Sequence, residues 1–317
     1  MLKEKDHSIV FLEPIFKEMI WGGNKLAQKF EYKIPSESTG ECWAIAAHTN
    51  GDSKVITKSF ENYTLGKLWE EHRELFGNLE GDVFPLLIKI LDAKADLSIQ
   101  VHPDDDYATK YENGSLGKTE CWYVLDCDEN ATIIIGHNAK SKEELASMVN
   151  ENKWCDLLRE VKIKKGDFFQ IEPGCIHAIK GGTMIFETQQ NSDITYRVYD
   201  YDRLSGGKPR ELHIEKSIDV ITVPAKSVED SVISAAGLPE NQVNKLYSCN
   251  YYEVSKLDVN GSVSFEQDAP FLMVSIMDGA GTVGNAEVKK GDHFILPNGY
   301  GLVEMQGKMS MILATVR

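Results

Sequence analysis

The 317-residue sequence has no Cys-x-x-Cys pair, and its six cysteines, at 42, 121, 127, 155, 175 and 249, are scattered. That pattern argues against a thiolate zinc site and against a disulfide-stapled secreted domain, leaving reduced cytosolic thiols as the plain expectation. No apolar run approaches the roughly 18–20 residues of a membrane span. The opening Met1-Leu2-Lys3-Glu4-Lys5-Asp6-His7 lacks the apolar stretch of a secretory signal, so a cytoplasmic protein is expected. Positive charge is also short: 34 Lys and Arg face 49 Asp and Glu, a net charge of −15. Such a surface repels nucleic acid and anionic membranes, and neither is expected as a partner. A small anionic substrate would need a local cationic pocket.

What remains is ordinary for a globular chain, with 42% hydrophobic and 26% charged residues. Short strands punctuated by turns are predicted over 8–13, 41–48, 84–91, 97–102, 120–127, 131–136, 167–172, 183–189 and 194–200. Three stretches have helical spacing. Leu65–Phe76 carries Leu, Trp and Phe three to four residues apart, and Ser141–Asn150 opens with Ser141 and Glu144 in a capping-box pattern. Leu212–Ile221 places Ile214, Ile218 and Ile221 on one face. Residues 224–241 are small and polar with two prolines, which suggests a linker or crossing segment. The expected organisation is a unit over 1–223, the crossing over 224–241 and a smaller β unit over 242–317.

One segment occurs twice. Residues 164–177 read KKGDFFQIEPGCIH and residues 289–301 read KKGDHFILPNGYG. With a one-residue gap, Phe169 aligns with Phe294, Pro173 with Pro297, and His177 with Gly301. The shared part is a turn, a short apolar strand and a Pro/Gly turn, which is what a fold needs. The part that differs is a metal-type side chain. Many short strands with an internal duplication point to a mainly β chain built as two sandwiches or jelly-roll barrels, with short helices inserted in or flanking the first.

Four side chains have the chemistry of a metal site. Gln100 and His102 are two residues apart in a strand pattern and so project to one side, with Val101 opposite. Glu120 opens an apolar strand, and Cys121 after it faces away. His177 follows the Pro173-Gly174 turn. Two imidazoles, a carboxylate and an amide oxygen form an N/O set that suits Zn²⁺ with a position left for water or substrate, and Mn²⁺, Fe²⁺ or Co²⁺ would also suit it. Singly, His102 has a plainer role as a hydrogen-bonded turn histidine and Glu120 as a strand-end surface charge, while His177 alone does not decide between a ligand and a plainer role. Gln100 fits such a role least, because an inward amide needs a partner.

Polar residues continue beyond this set. In Met184–Gln190, Ile185, Glu187 and Gln189 share a face, and in Asp193–Asp200, Thr195, Arg197 and Tyr199 share another. Lys118 precedes Glu120 by two and shares its side. Lys118 and Arg197 together would make a local anion site in an acidic protein. The plainer alternatives are a solvated strand carboxylate for Glu187, a salt bridge with Asp193 or Asp200 for Arg197, and a solvated turn lysine for Lys118.

In combination, Gln100-x-His102-Pro103, Gly117-Lys118-Thr119-Glu120-x-Trp122, Pro173-Gly174-x-x-His177-Ala178 and Ser192-Asp193-x-Thr195-Tyr196-Arg197 resemble the type I phosphomannose isomerase family in its short bacterial form. Supporting stretches are Lys17–Gly23 and Gly40-Glu41-Cys42-Trp43, and the resemblance runs from about residue 10 to 220, more loosely beyond. It implies cupin barrels and one Zn²⁺ per chain on Gln100, His102, Glu120 and His177. It also implies a catalytic Arg197, with Lys118 and Glu187 beside it and Ser98 at the phosphate end of a sugar phosphate. Longer members carry an added helical domain, and this sequence has only short helices in its place.

The implied reaction interconverts mannose 6-phosphate and fructose 6-phosphate through a cis-enediol. It needs a base at carbon, which the sequence leaves open among Glu187, Lys118 and a hydroxide on the metal. It also needs charge stabilisation at oxygen, which suits Arg197. Two other readings are a metal-dependent cupin dioxygenase, which usually wants His-x-His where this chain has Gln100-x-His102, and a non-catalytic sugar-binding cupin. The metal is expected in the first barrel only, with none near Gly301.

Overall fold

A computed structural model describes residues 8–229 and 232–317. Met1–His7, read above for a leader, and Asp230–Ser231 within the crossing lie outside the described residues. The chain is mainly β, as expected, with most of its strands in three sheets. A seven-stranded sheet runs in the order Val232–Ser234, Asp167–Ile171, Glu120–Cys127, Thr183–Gln190, Leu86–Ala93, Ile15–Gly23, Thr39–Ile45. A five-stranded sheet runs Leu158–Lys162, Thr132–His137, His177–Ile179, Ile99–Val101, Tyr196–Tyr199. The third sheet holds the C-terminal strands.

Both faces of the seven-stranded sheet carry apolar side chains into a core, and its alternation sorts them between two cores. In Glu120–Cys127, Trp122 and Val124 join the core shared with Ile133, Ile135 and Ile179 of the five-stranded sheet. Cys121 and Tyr123 point the other way, into the core that includes Trp69, Phe76, Phe271 and Ile312. This is why the strand reads as an almost unbroken apolar run: both faces are covered. Cys121 therefore faces away from Glu120, as expected. The outer face of the five-stranded sheet is covered by helices Lys142–Asn150, Trp154–Leu157 and Ile214–Val220.

Ser141 caps its helix by accepting from Glu144 N at 3.2 Å, but the Glu144 carboxylate reaches back to Lys140 N at 2.7 Å, not to the cap residue itself. Leu65–Phe76 divides into an α-helix, Leu65–Glu71, and a 3₁₀ turn, Arg73–Phe76.

The duplication holds at the level of atoms. Lys164 N donates to Asp167 Oδ2 at 2.9 Å and Lys289 N donates to Asp292 Oδ2 at 2.8 Å. Gly166 and Gly291 have the same φ of +89°, a left-handed conformation that favours glycine. Phe169 enters the core between the first two sheets, and Phe294 enters a separate core within the C-terminal sheet.

That C-terminal sheet is not built from C-terminal residues alone. Val10–Glu13 pairs antiparallel with His293–Leu296, with Leu12 opposite His293, and on its other side pairs with Lys54–Val55. Sheet membership thus crosses the division at 224–241, which remains a proposal about how the chain is organised.

Candidate active site

Three adjacent strands of the five-stranded sheet place site residues in one row: Gln100 is the register partner of His177 on one side and of Arg197 on the other. Glu120 enters from the facing sheet, at the first residue of its strand. His102 lies one residue past Ile99–Val101. His177 owes its position to the turn before it, where Gly174 has φ +78° and donates its N–H to His102 O at 2.9 Å. A Cβ on Gly174 would lie 2.5 Å from Thr222 Oγ1 and 2.7 Å from Val220 O, so glycine is required on both counts.

His102, Glu120 and His177 offer donor atoms that all lie within 4.8 Å of one another, and all three side chains are buried. Among the described residues this is the one such group of three or more His, Cys, Asp or Glu side chains. Glu120 Oε2 is 3.5 Å from His102 Nε2 and Oε1 is 3.4 Å from His177 Nε2. Each imidazole has its other nitrogen against a carbonyl: His102 Nδ1 at 2.7 Å from Ile194 O, and His177 Nδ1 at 2.9 Å from Cys175 O. A carbonyl only accepts, so both Nδ1 atoms carry the proton and both Nε2 lone pairs face Glu120. Burial, with the nearby Lys118 charge, keeps both rings neutral; His177 is pushed down to about 4.

This donor set fits a divalent cation. Burial drives the Glu120 carboxyl above its usual range, and its Oε1 is buried with no hydrogen-bond partner. The Lys118 ammonium lies among these groups, hydrogen-bonded to Glu120 Oε2 and 3.2 Å from His102 Nε2. A positive charge is therefore what the site accepts. The Gln100 amide, 3.3 Å from His177 Nε2, is placed to add a fourth ligand through its oxygen after rotation about the terminal bond.

An open cleft of about 530 Å³, counted out to solvent, holds the remaining residues singled out in the sequence: Ser98, Gln100, Lys118, Glu187 and Arg197 all line it. Glu187 is 3% exposed, which rules out a solvated strand charge. It accepts from Trp122 Nε1 at 3.0 Å and faces Lys89 Nζ at 3.6 Å. Burial alone would raise its pKa, but the charges of Lys118 and Lys89 and the Trp122 hydrogen bond outweigh burial and lower it. Lys118 is 4% exposed and so is not a solvated turn lysine. Arg197 does not pair with Asp193 or Asp200. Its Nη1 donates to Glu211 O at 2.9 Å, and its Nε is buried without a partner.

Two corrections concern this region. Tyr199 does not share the face of Thr195 and Arg197: a register shift between Arg197 and Tyr199 turns it outward, where it stacks on Trp154 at 4.8 Å. Sequence reasoning also missed three cleft residues, Glu41, Lys89 and Arg210. Lys89 had a legible signal, since a lysine inside Leu86-Leu87-Ile88-Lys89-Ile90-Leu91 must be paired when both strand faces are covered. It lies 3.8 Å from Glu41 Oε2, which also accepts from Trp43 Nε1 at 2.6 Å.

Comparison with known proteins agrees with this geometry. Residues 9–130 match the model of the phosphomannose isomerase type I catalytic domain, and residues 242–316 match that of the mannose-6-phosphate isomerase cupin domain. The chain is 51% identical to the mannose-6-phosphate isomerase ManA of Bacillus subtilis over 96% of its own length and 98% of that protein's. It is 50% identical to the mannose-6-phosphate isomerase of Streptococcus mutans, covering 96% of each. A crystal structure of the Bacillus subtilis mannose 6-phosphate isomerase superposes with a TM-score of 0.91 at 48% identity, over 97% of this chain and 99% of that one. With relatives this similar over nearly the whole chain, and with the donor group and cleft in place, the protein belongs to the type I phosphomannose isomerase family.

Proposed function

We propose that this protein is a cytoplasmic mannose-6-phosphate isomerase that holds one Zn²⁺ on His102, Glu120, His177 and Gln100. The observation that carries this is the inward pair of Nε2 lone pairs facing Glu120, beside a cleft lined by Lys118, Glu187 and Arg197. Held by these residues, a divalent cation would supply polarisation and orientation of the sugar oxygens. The free state of all six cysteines suits the proposed compartment.

The protein's own groups then divide the work. Glu187, held ionised by Lys118, Lys89 and Trp122, is the base we favour: it takes the proton from C2 of mannose 6-phosphate and returns it at C1. Lys118 is the other candidate for that step. The Arg197 guanidinium stabilises the negative charge that develops on the enediolate oxygen. Lys118 and Ser98 hold the phosphate or the hydroxyls next to it. The aldose and ketose differ only in the placement of two hydrogens between C1, C2 and their oxygens, so no redox partner is needed.

No observation favours the dioxygenase or the non-catalytic reading, and the Bacillus subtilis and Streptococcus mutans relatives that match nearly the whole chain carry the isomerase name. The test is a coupled assay converting mannose 6-phosphate to fructose 6-phosphate, with metal analysis on the same sample. Chelation should abolish turnover and Zn²⁺ should restore it. Turnover that survives complete metal removal would end this proposal.

A further inference from the structure

The charges around the cleft are unevenly matched. Lys89 faces Glu41 and Glu187, and Lys118 is bound to Glu120. At the other end, Arg203 and Arg210 share one buried carboxylate, Asp200, and the neighbouring Arg197 has no ion pair among the described residues. This end carries uncompensated positive charge in a protein of net charge −15.

The three arginines are not equivalent. Arg203 is spent on the scaffold: it donates to Asp96 O and Asp200 O, reaches Asp200 Oδ1 at 2.5 Å and packs over the Tyr201 ring. It does not line the cleft. Arg210 does line it, beside Arg197. Its Nε donates to Asp200 Oδ2 at 2.7 Å and its Nη2 to Asp200 Oδ1 at 2.5 Å, and among the described residues Asp200 is its one hydrogen-bond partner. One edge of the guanidinium is thus fixed by a carboxylate that is 4% exposed, and Nη1 is left over. The neighbouring backbone sets its place: His213 N donates to Arg197 O at 2.8 Å and Arg197 N donates to His213 Nδ1 at 3.1 Å, which docks the segment after Arg210 along the Arg197 strand.

Two guanidinium groups lining one cleft repel each other unless an anion joins them. We infer that Arg210, oriented by Asp200, binds the phosphate of the substrate and makes the enzyme specific for phosphorylated sugars. This rests on the isomerase reading above and extends it. An arginine held on one edge by a carboxylate presents its remaining N–H groups in a fixed direction, which suits a phosphate oxygen better than a mobile lysine does. Lys118, already matched by Glu120, is left for the hydroxyls nearer the reacting carbons.

The experiment compares wild type with Arg210→Ala and Arg210→Lys in steady-state assays on mannose 6-phosphate. Inorganic phosphate serves both as competitive inhibitor and as a ligand in calorimetry. Arg210→Ala should raise KM about tenfold or more, a loss of about 1.4 kcal/mol, with kcat changed less than about threefold. Phosphate inhibition and calorimetric phosphate binding should weaken in parallel, and Arg210→Lys should recover part of each. If Arg210→Ala fails to fold, the Lys variant and Arg210→Gln carry the same comparison. Unchanged KM and unchanged phosphate binding in a folded variant would overturn the inference, as would a fall in kcat alone. A wild type that binds phosphate through Arg210 but does not isomerise the sugar would instead sink the isomerase reading and leave the phosphate subsite standing.

Discussion

Lys118 Nζ is hydrogen-bonded to the Glu120 carboxylate and lies 3.2 Å from His102 Nε2, so a lysine head sits among the donors of the proposed metal site. Burial would discharge this lysine, but Glu120 and Glu187 hold its pKa above the usual value. A divalent cation held on the proposed ligands would compete with this ammonium for the same carboxylate.

The competition can be measured without turnover. Lys118→Ala should retain Zn²⁺ at least as well as wild type during dialysis against a chelator, while kcat falls by about 10²-fold or more. Weaker metal retention in this variant would show that Lys118 supports the site and does not compete with the ion.

Glu120→Gln and His177→Ala remove one proposed ligand each. Both should lose bound metal and activity together. In wild type, Zn²⁺ at about 100 times its dissociation constant should stabilise the fold by about 2.7 kcal/mol, read as a raised Tm. The two variants should show little of that rise, and a full Zn²⁺-dependent rise in either would exclude its ligand role.

Glu187→Gln keeps the shape and can still accept from Trp122, but lacks the charge. If Glu187 is the base, kcat should drop by about 10²–10⁴-fold with Tm nearly unchanged. A drop smaller than tenfold would pass the role to Lys118.

Asp200 supplies a pH prediction away from the metal site. Burial would raise its pKa, but the hydrogen bonds from Arg210 and Arg203 outweigh burial and depress it. A depressed folded pKa stabilises the protein above the unfolded carboxylate value, about 3.9, and that stability is lost as pH falls through the folded value. Asp200→Asn should therefore cost on the order of 1–3 kcal/mol at pH 7, and the gap to wild type should close as the pH is taken below about 4. Denaturant midpoints at several pH values check it; a gap that widens in acid would reverse the assignment.

Much of the site was legible because the sequence signals were local. The spacing of Gln100 and His102 predicts one shared face, and the difference between the two KKGD segments isolates His177. Glu120 and Lys118 follow the same two-residue rule. What was not legible depends on long-range pairing. Arg210 lies between an exposed hairpin and a short helix, and only the docking of His213 on Arg197 brings it to the cleft. The helices Lys25–Phe30 and Asp105–Tyr111 are six and seven residues long, too short for periodicity to show. For the second, Asp104 was the available signal, accepting from Tyr107 N at 2.9 Å as an N-cap. The outward turn of Tyr199 depends on a register shift that alternation alone does not foresee.

The pairing of Leu12 with His293 has a consequence for synthesis. On the ribosome, Val10–Glu13 emerges about 280 residues before the strand it must join. At roughly 5–20 residues per second, it waits on the order of 15–60 s with that edge unpaired. The five-stranded sheet, whose strands end at Tyr199, is complete in sequence well within that interval. The C-terminal sheet cannot close until translation is almost finished, so a nascent chain stalled before residue 293 would expose a strand built to be covered.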